Sequence, residues 1–414
     1  MGRLVIAGGR RLIGEIVIEG AKNAALPACV ATLLTDDSVK LHRIPALRDV
    51  FTILATISSL GKSVLHTGTE VEVGRDGALS GEAEARYVEQ MRASFLILGP
   101  LVARLGHAMI PLPGGCTIGR RPVDFHLRGL EQLGARVEQR SECVVLRAER
   151  LHGTRLKLPY PSVGATEQLV MTATLAKGET VIENPAQEPE IDDLIGLLRK
   201  MGAEIISESD RIRIFGVHRL HGAEHTIIPD RIEAGTWLIA GAMTQGEIEV
   251  RGIIPEHMEA LSLVLKEAGL PLSVQGESIV LAGARPQAMT VTTSPYPGFP
   301  TDLQAPLVSF LSLGTGKSIV SEGVFENRFG YVPALNRMGA RITVDGRTAT
   351  VTGVPGLHAA DVEAPDIRAG AALVLAGLAA QGETSVSCAE RIDRGYTRIE
   401  EKLCALGAQV AREE

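Results

Sequence analysis

The stretch PLPGGCTIGRRPVDFH, Pro111 to His126, places the thiol of Cys116 between glycines and a pair of arginines, Arg120 and Arg121. Positive neighbours favour the thiolate and draw anions, which suits a reactive cysteine. A free cysteine is also an ordinary small apolar residue, so the thiol is either carried to a substrate on a glycine-rich loop or simply accommodated in one. A second candidate is Asp302 in SPYPGFPTDLQAP, where prolines stiffen the approach to a carboxylate that precedes an apolar helix. It is either a general base in fixed geometry or a helix cap. Lys22 and Asn23 in GAKNAALPA stand at a strand-to-helix switch. A helix start offers free amides and positive potential to an anion, and Lys22 adds a full charge; the alternative is a solvated lysine.

Six arginines share a placement. Arg92 in MRAS, Arg121 in GRRPVD, Arg231 in PDRIEAG, Arg328 in FENRF, Arg368 in PDIRAG and Arg394 in DRGYTR fall mostly where an element begins or ends. They are either surface ion pairs, which contribute little, or a set that converges on a phosphate-bearing ligand. Two other motifs carry no chemistry. GTGKS at Gly314 to Ser318 lacks the glycine that a phosphate loop needs at Leu311. HRLHGAEH puts His218, His221 and His225 near metal spacing, but Gly222 breaks any helix there and no cysteine lies nearby, which predicts exposed loop histidines.

The chain totals narrow the classes. With 414 residues, 45% hydrophobic and 22% charged, the chain is long enough for two or three domains with real cores. A net charge of −7 and only 3% aromatic residues argue against a nucleic-acid partner, which needs a basic face or stacking platforms. Five scattered cysteines, Cys29, Cys116, Cys143, Cys388 and Cys404, form no CxxC and predict neither disulfides nor a thiolate metal site, as expected of a cytoplasmic protein. The first residues alternate like a strand rather than a signal peptide. The apolar run Ala369 to Ala380 falls short of the ~20 residues a bilayer crossing needs, so no membrane partner is expected.

The elements that must position the candidates come from a repeat. ISSLGKSV, LEQLGARV, LLRKMGAEI, LKEAGLPL, LNRMGARI and LCALGAQV each end a helix on a glycine and begin a strand, at Gly61, Gly134, Gly202, Gly269, Gly339 and Gly407. The interval is roughly 70 residues, longer than ordinary solenoid repeats. A second, Ala-rich set of helices, such as AGTWLIAGAM and AGAALVLAGLAA, is apolar nearly all round and is therefore predicted to be enclosed, with strands outside. Six units divide into two domains of three, expected at residues 22–229 and at residues 1–21 with 230–414. A cleft between two such halves is a common place for a ligand.

Taken together, GAKNAALP, MRAS, PLPGGCTIGRRPVDFH, SVGAT, PDRIEAGT, YPGFPTDLQAP, VFENRF and IDRGYTRIEEKLCALGA resemble the UDP-N-acetylglucosamine 1-carboxyvinyltransferases nearly end to end. That resemblance implies two inside-out α/β barrel domains of three repeats each. It implies enolpyruvyl transfer from phosphoenolpyruvate to the 3-hydroxyl of UDP-N-acetylglucosamine in peptidoglycan precursor synthesis, with no metal or cofactor. Cys116 would protonate phosphoenolpyruvate, and Asp302 would take the hydroxyl proton. Lys22, Arg121 and Arg394 would hold the phosphate and carboxylate, with Asn23 beside the reacting centre. Arg92, Arg121, Pro122, Val123, Asp124, Phe125, Ser162, Val163, Gly164, Asp302 and Val324 match positions that grip the nucleotide sugar. Arg231, Arg328 and Arg368 join them as further candidate contacts to negative charge. One departure is Gln187, in AQEPEI, where the family commonly carries arginine. Two other readings remain at this point: transfer to a different nucleotide acceptor, and an inactive nucleotide-sugar-binding regulator.

Overall fold

The computed structural model describes residues 2–111 and 123–414. Cys116, Arg120, Arg121 and Pro122 lie outside the described residues. The chain divides into two compact units, one of residues 2–19 and 229–414 and the other of residues 20–111 and 123–228. Each has its own hydrophobic core.

Each repeated glycine turns a helix into a strand in the same way. Gly61, Gly134, Gly202, Gly269, Gly339 and Gly407 have φ of 95°, 101°, 96°, 88°, 92° and 93°, a region that a Cβ disfavours. Each glycine N–H donates to the carbonyl three residues back, as from Gly134 to Glu131 and from Gly339 to Asn336. In five of them the next residue donates further back, as from Ala135 to Leu130 and from Ala340 to Leu335, which completes a Schellman cap.

The strands that follow enter sheets of one design. Ile13–Val17 runs parallel to Glu247–Arg251, which pairs antiparallel with Ser278–Ala282, itself flanked by Leu272–Gln275. Four other sheets repeat that order of one parallel and two antiparallel pairings. The sixth, built from His107–Pro111, Cys143–Arg147 and Arg136–Gln139, lacks the parallel strand and has a single parallel bridge, Glu82 to Met109, in its place. Among the described residues these sheets stay separate. Each unit thus has the inside-out arrangement that the resemblance implies, built from separate sheets of this kind, with the two-stranded pair Leu357–His358 and Ala380–Gln381 added in the unit of residues 229–414.

The enclosed helices are those predicted from their composition. In one unit Arg231–Met243, Gln304–Leu311 and Ile367–Ala379 pack on one another and bury nearly every residue. The other unit encloses Lys22–Ala31, Leu98–Leu105 and Val163–Ala173. Small residues allow that packing: a Cβ on Gly99 would lie 2.2 Å from Thr172 Oγ1 of the facing helix. Hydrophobic burial on all faces leaves only the helix ends for polar work. Lys22, Asn23, Ser162, Arg231, Asp302 and Arg368 lie at or just before such ends.

Candidate active site

In the unit of residues 229–414, three helix starts carry the charges. Asp230 caps Arg231–Met243, its Oδ1 accepting from the N–H groups of Ile232 at 2.8 Å and Glu233 at 3.0 Å. Asp366 caps Ile367–Ala379 in the same way, through Arg368 at 2.8 Å and Ala369 at 3.0 Å. These caps place Arg231 and Arg368 in the first turns of their helices. Arg231 is half-buried, with its guanidinium 5.5 Å from the Tyr296 ring centroid.

Asp302 sits in the Thr301–Leu303 turn before the third helix. The cap alternative fails, because no side chain caps either the turn or the Gln304–Leu311 helix. Its oxygens are divided between two arginines: Oδ1 accepts from Arg328 Nη2 at 2.8 Å, and Oδ2 from Arg368 Nε at 3.1 Å. Both arginine side chains are nearly inaccessible, at 3% and 5%, whereas that of Asp302 is 26% exposed. Surface ion pairing is therefore excluded for Arg328 and Arg368. Burial opposes the Arg368 charge, but Tyr396, Asp302 and Asp230 outweigh it and hold that guanidinium above its usual pKa. Such charge-assisted pairs fix a carboxylate in position and leave its open face for chemistry. Arg394 and Val324 are half-buried in the same unit, and the Val324 N–H donates to Glu322 Oε1 at 2.8 Å.

In the unit of residues 20–228, Lys22 begins the Lys22–Ala31 helix and is only 7% exposed, which excludes a solvated lysine. Its Nζ lies 2.8 Å from Asp49 Oδ2, a buried ion pair at a helix N-terminus. Asn23 beside it is half-buried. The candidates Val123, Asp124, Phe125, Ser162, Val163, Gly164 and Arg92 are also half-buried. Ser162 caps the Val163–Ala173 helix, its Oγ accepting from Ala165 N–H at 3.4 Å.

Two residues that sequence reasoning passed over draw three of these segments together. Gln168 Nε2 donates to the Phe95 carbonyl at 2.8 Å, and Gln168 Oε1 faces His126 Nδ1 at 2.7 Å. That amide orientation makes Nδ1 the protonated nitrogen of the neutral ring. His126 also meets Phe95 edge-on at 5.4 Å. The link ties the Arg92–Ile97 turn, the Asp124–Gln132 helix and the Val163–Ala173 helix. Burial, followed by the nearby Arg92 charge, lowers the His126 pKa to about 4. The only sequence signal was the adjacency of His126 to the RPVDF run.

Other expectations change. His225 is not a loop histidine: it lies in the strand Glu224–Thr226, is 7% exposed, and pairs with Asp193 at 3.0 Å. The alternation of the strand turns it inward, while His221 stays on the surface. Gln187 donates to the Ser209 carbonyl, so its neutral amide has a local partner. Among the described residues no group of three or more His, Cys, Asp or Glu is placed to hold a metal, and no helix is long and apolar enough to cross a membrane.

Separate sheets around three enclosed helices in each unit, with lysine, arginine and a clamped carboxylate at helix starts, define an α/β class suited to anionic substrates. A family model described as EPSP synthase (3-phosphoshikimate 1-carboxyvinyltransferase) matches residues 6–403, and the chain belongs to that family. Within it, the chain is 49% identical to UDP-N-acetylglucosamine 1-carboxyvinyltransferase 2 of Carboxydothermus hydrogenoformans, over 100% of this chain and 99% of that one. It is 50% identical to UDP-N-acetylglucosamine 1-carboxyvinyltransferase of Acidiphilium cryptum at the same coverage. Among solved structures, the enolpyruvyl transferase NikO from Streptomyces tendae superposes with a TM-score of 0.89 at 25% identity, covering 99% of this chain and 98% of that one. EPSP synthase from Acinetobacter baumannii shares the fold, with a TM-score of 0.79 at 17% identity and full coverage of both chains.

Proposed function

We propose that this chain transfers the enolpyruvyl group of phosphoenolpyruvate to the 3-hydroxyl of UDP-N-acetylglucosamine and releases phosphate, the first committed step of peptidoglycan precursor synthesis. The observation that carries the reading is identity of 49% and 50% over the whole chain to relatives of that name. The clamped Asp302 supports it, because a base for a sugar hydroxyl must be held in one geometry.

In this reading Cys116 gives its proton to the methylene carbon of phosphoenolpyruvate, leaving an oxocarbenium-like centre at the carbon that bears the phosphate. Asp302 takes the proton of the 3-hydroxyl as that oxygen bonds to the centre. The tetrahedral intermediate then loses phosphate from one carbon and a proton from the new methyl group, which restores the double bond. Lys22, Arg121 and Arg394 offset the phosphate and carboxylate, and Asn23 lies beside the reacting carbon. Arg92, the Arg121 to Phe125 run, Ser162 to Gly164 and Val324 hold the nucleotide sugar, with Arg231, Arg328 and Arg368 adding positive charge. Cys116 also forms a covalent adduct with phosphoenolpyruvate, and the activity serves cell shape and division from the cytoplasm.

The test is phosphate release from phosphoenolpyruvate with UDP-N-acetylglucosamine, with mass spectrometry of the nucleotide product and competing nucleotide acceptors. An enolpyruvyl adduct of UDP-N-acetylglucosamine formed in preference to the others supports the assignment. Preference for another acceptor would reassign the substrate, and no phosphate release with any acceptor would overturn the enzyme.

A further inference from the structure

Glu322 is a carboxylate with no role in the reaction, yet it is 2% exposed. Burying a carboxylate is costly unless donors satisfy it, so its partners reveal what it is for. Its Oε1 accepts the N–H groups of Val324 at 2.8 Å and Phe325 at 3.0 Å. Its Oε2 accepts the Thr301 hydroxyl at 3.0 Å. Thr301 is the residue before Asp302.

The segment from Glu322 to Arg328 therefore grips the Asp302 turn at both of its ends. Glu322 holds Thr301 at one end, and Arg328 Nη2 holds Asp302 Oδ1 at 2.8 Å at the other. The segment is itself anchored, since Glu322 N–H donates to the Arg347 carbonyl at 2.8 Å and Gly323 N–H to Thr293 Oγ1 at 2.9 Å. Close packing enforces the second anchor: a Cβ on Gly323 would lie 2.3 Å from the Thr293 carbonyl oxygen.

We propose that Glu322 is a positioning residue that couples the nucleotide-sugar contact at Val324 to the placement of the Asp302 base, acting on the base through Thr301. The inference rests on the function proposed above. A single rigid carboxylate sets the Val324 turn with one oxygen and the Asp302 turn with the other, so a sugar seated against Val324 meets a base already in register. An error of about 1 Å at such a base is enough to cost on the order of a hundredfold in rate.

Three variants separate the two oxygens. Thr301→Val removes only the Oε2 link, while Thr301→Ser keeps the hydroxyl and Glu322→Gln weakens the acceptor for both turns. Steady-state kinetics with UDP-N-acetylglucosamine are expected to show kcat lowered about tenfold or more in Thr301→Val, with KM within about twofold. Thr301→Ser restores kcat to within about twofold of the parent, and Glu322→Gln raises KM for the nucleotide sugar as well as lowering kcat. In the double variant Thr301→Val with Glu322→Gln, kcat falls no further than in the worse single variant, because both lie on one link. Thermal melting confirms that each variant is folded, and Thr301→Ala, which also lacks the hydroxyl, serves if Thr301→Val is not. Unchanged kcat in folded Thr301→Val, or effects that multiply in the double variant, would overturn the coupling alone. A parent chain that releases no phosphate would overturn both readings.

Discussion

Arg328 Nη2 lies 2.8 Å from Asp302 Oδ1, and the arginine side chain is 3% exposed. Arg368 holds the other oxygen from an equally buried position. Neutralising the carboxylate would strand two guanidinium groups away from water. Asp302→Asn is therefore expected to destabilise the fold by about 3 kcal/mol, read as a lower urea midpoint. Under the proposed function it also lowers kcat by about a hundredfold or more, while calorimetry still detects UDP-N-acetylglucosamine binding. Normal turnover in a folded Asp302→Asn protein would remove this residue from the chemistry.

The thiol of Cys116 is open to a chemical test that needs no turnover. The family resemblance implies alkylation of this cysteine by the epoxide fosfomycin, so intact mass after treatment should show one adduct. Cys116→Ser should show none. Equal labelling of both proteins would place the reactive thiol elsewhere, among Cys29, Cys143, Cys388 and Cys404. Of these, Cys29 is the poorest nucleophile, because burial raises its pKa to about 12.

The repeated glycines allow backbone strain to be separated from crowding. Gly134 has φ of 101°, but a Cβ there would come no nearer than 3.6 Å to another atom. Gly339 has φ of 92°, and its Cβ would lie 2.5 Å from His358 Nε2. Gly134→Ala should thus lose about 1 to 2 kcal/mol from conformation alone. Gly339→Ala should lose more, because the His358 ring must also move. Urea denaturation with matched slopes measures both, and equal losses would show that the ring yields at no cost.

These glycines also explain what could be read from sequence. Gly61, Gly134, Gly202, Gly269, Gly339 and Gly407 announced six helix-to-strand turns because a left-handed turn restricts residue type directly. The enclosed helices were legible for a similar reason, since burial on every side excludes polar residues over a whole segment. The pairing order within each sheet was not legible, because composition does not fix which strand a ladder of hydrogen bonds takes next. Within the candidate site, Asp302, Arg328 and Arg368 stood out as residue types, but their mutual pairing depends on contacts between distant segments. Glu322, Gln168 and His126 were missed because each acts by orienting another group. His225 was misjudged for want of one fact, the inward face of a three-residue strand.

His126 provides a pH test of the link among Arg92, Asp124 and Gln168. Its pKa falls from 6.5 to about 4, first through burial and then through the Arg92 charge, with Gln168 and Asp124 opposing. In the unfolded chain the ring takes a proton near pH 6.5, whereas the folded ring resists until about pH 4. Between those values the unfolded state binds more protons, so stability rises with pH across the interval. The contribution is complete above pH 6.5 and is lost as pH falls toward 4; its full size is about 3 to 4 kcal/mol. His126→Asn keeps a donor toward Gln168 Oε1 but does not titrate. Urea unfolding at neutral pH and near pH 5 should therefore show a smaller acid loss in the variant than in the parent. Identical losses would mean that the ring is as free to protonate in the fold as outside it, and that the link does not hold it neutral.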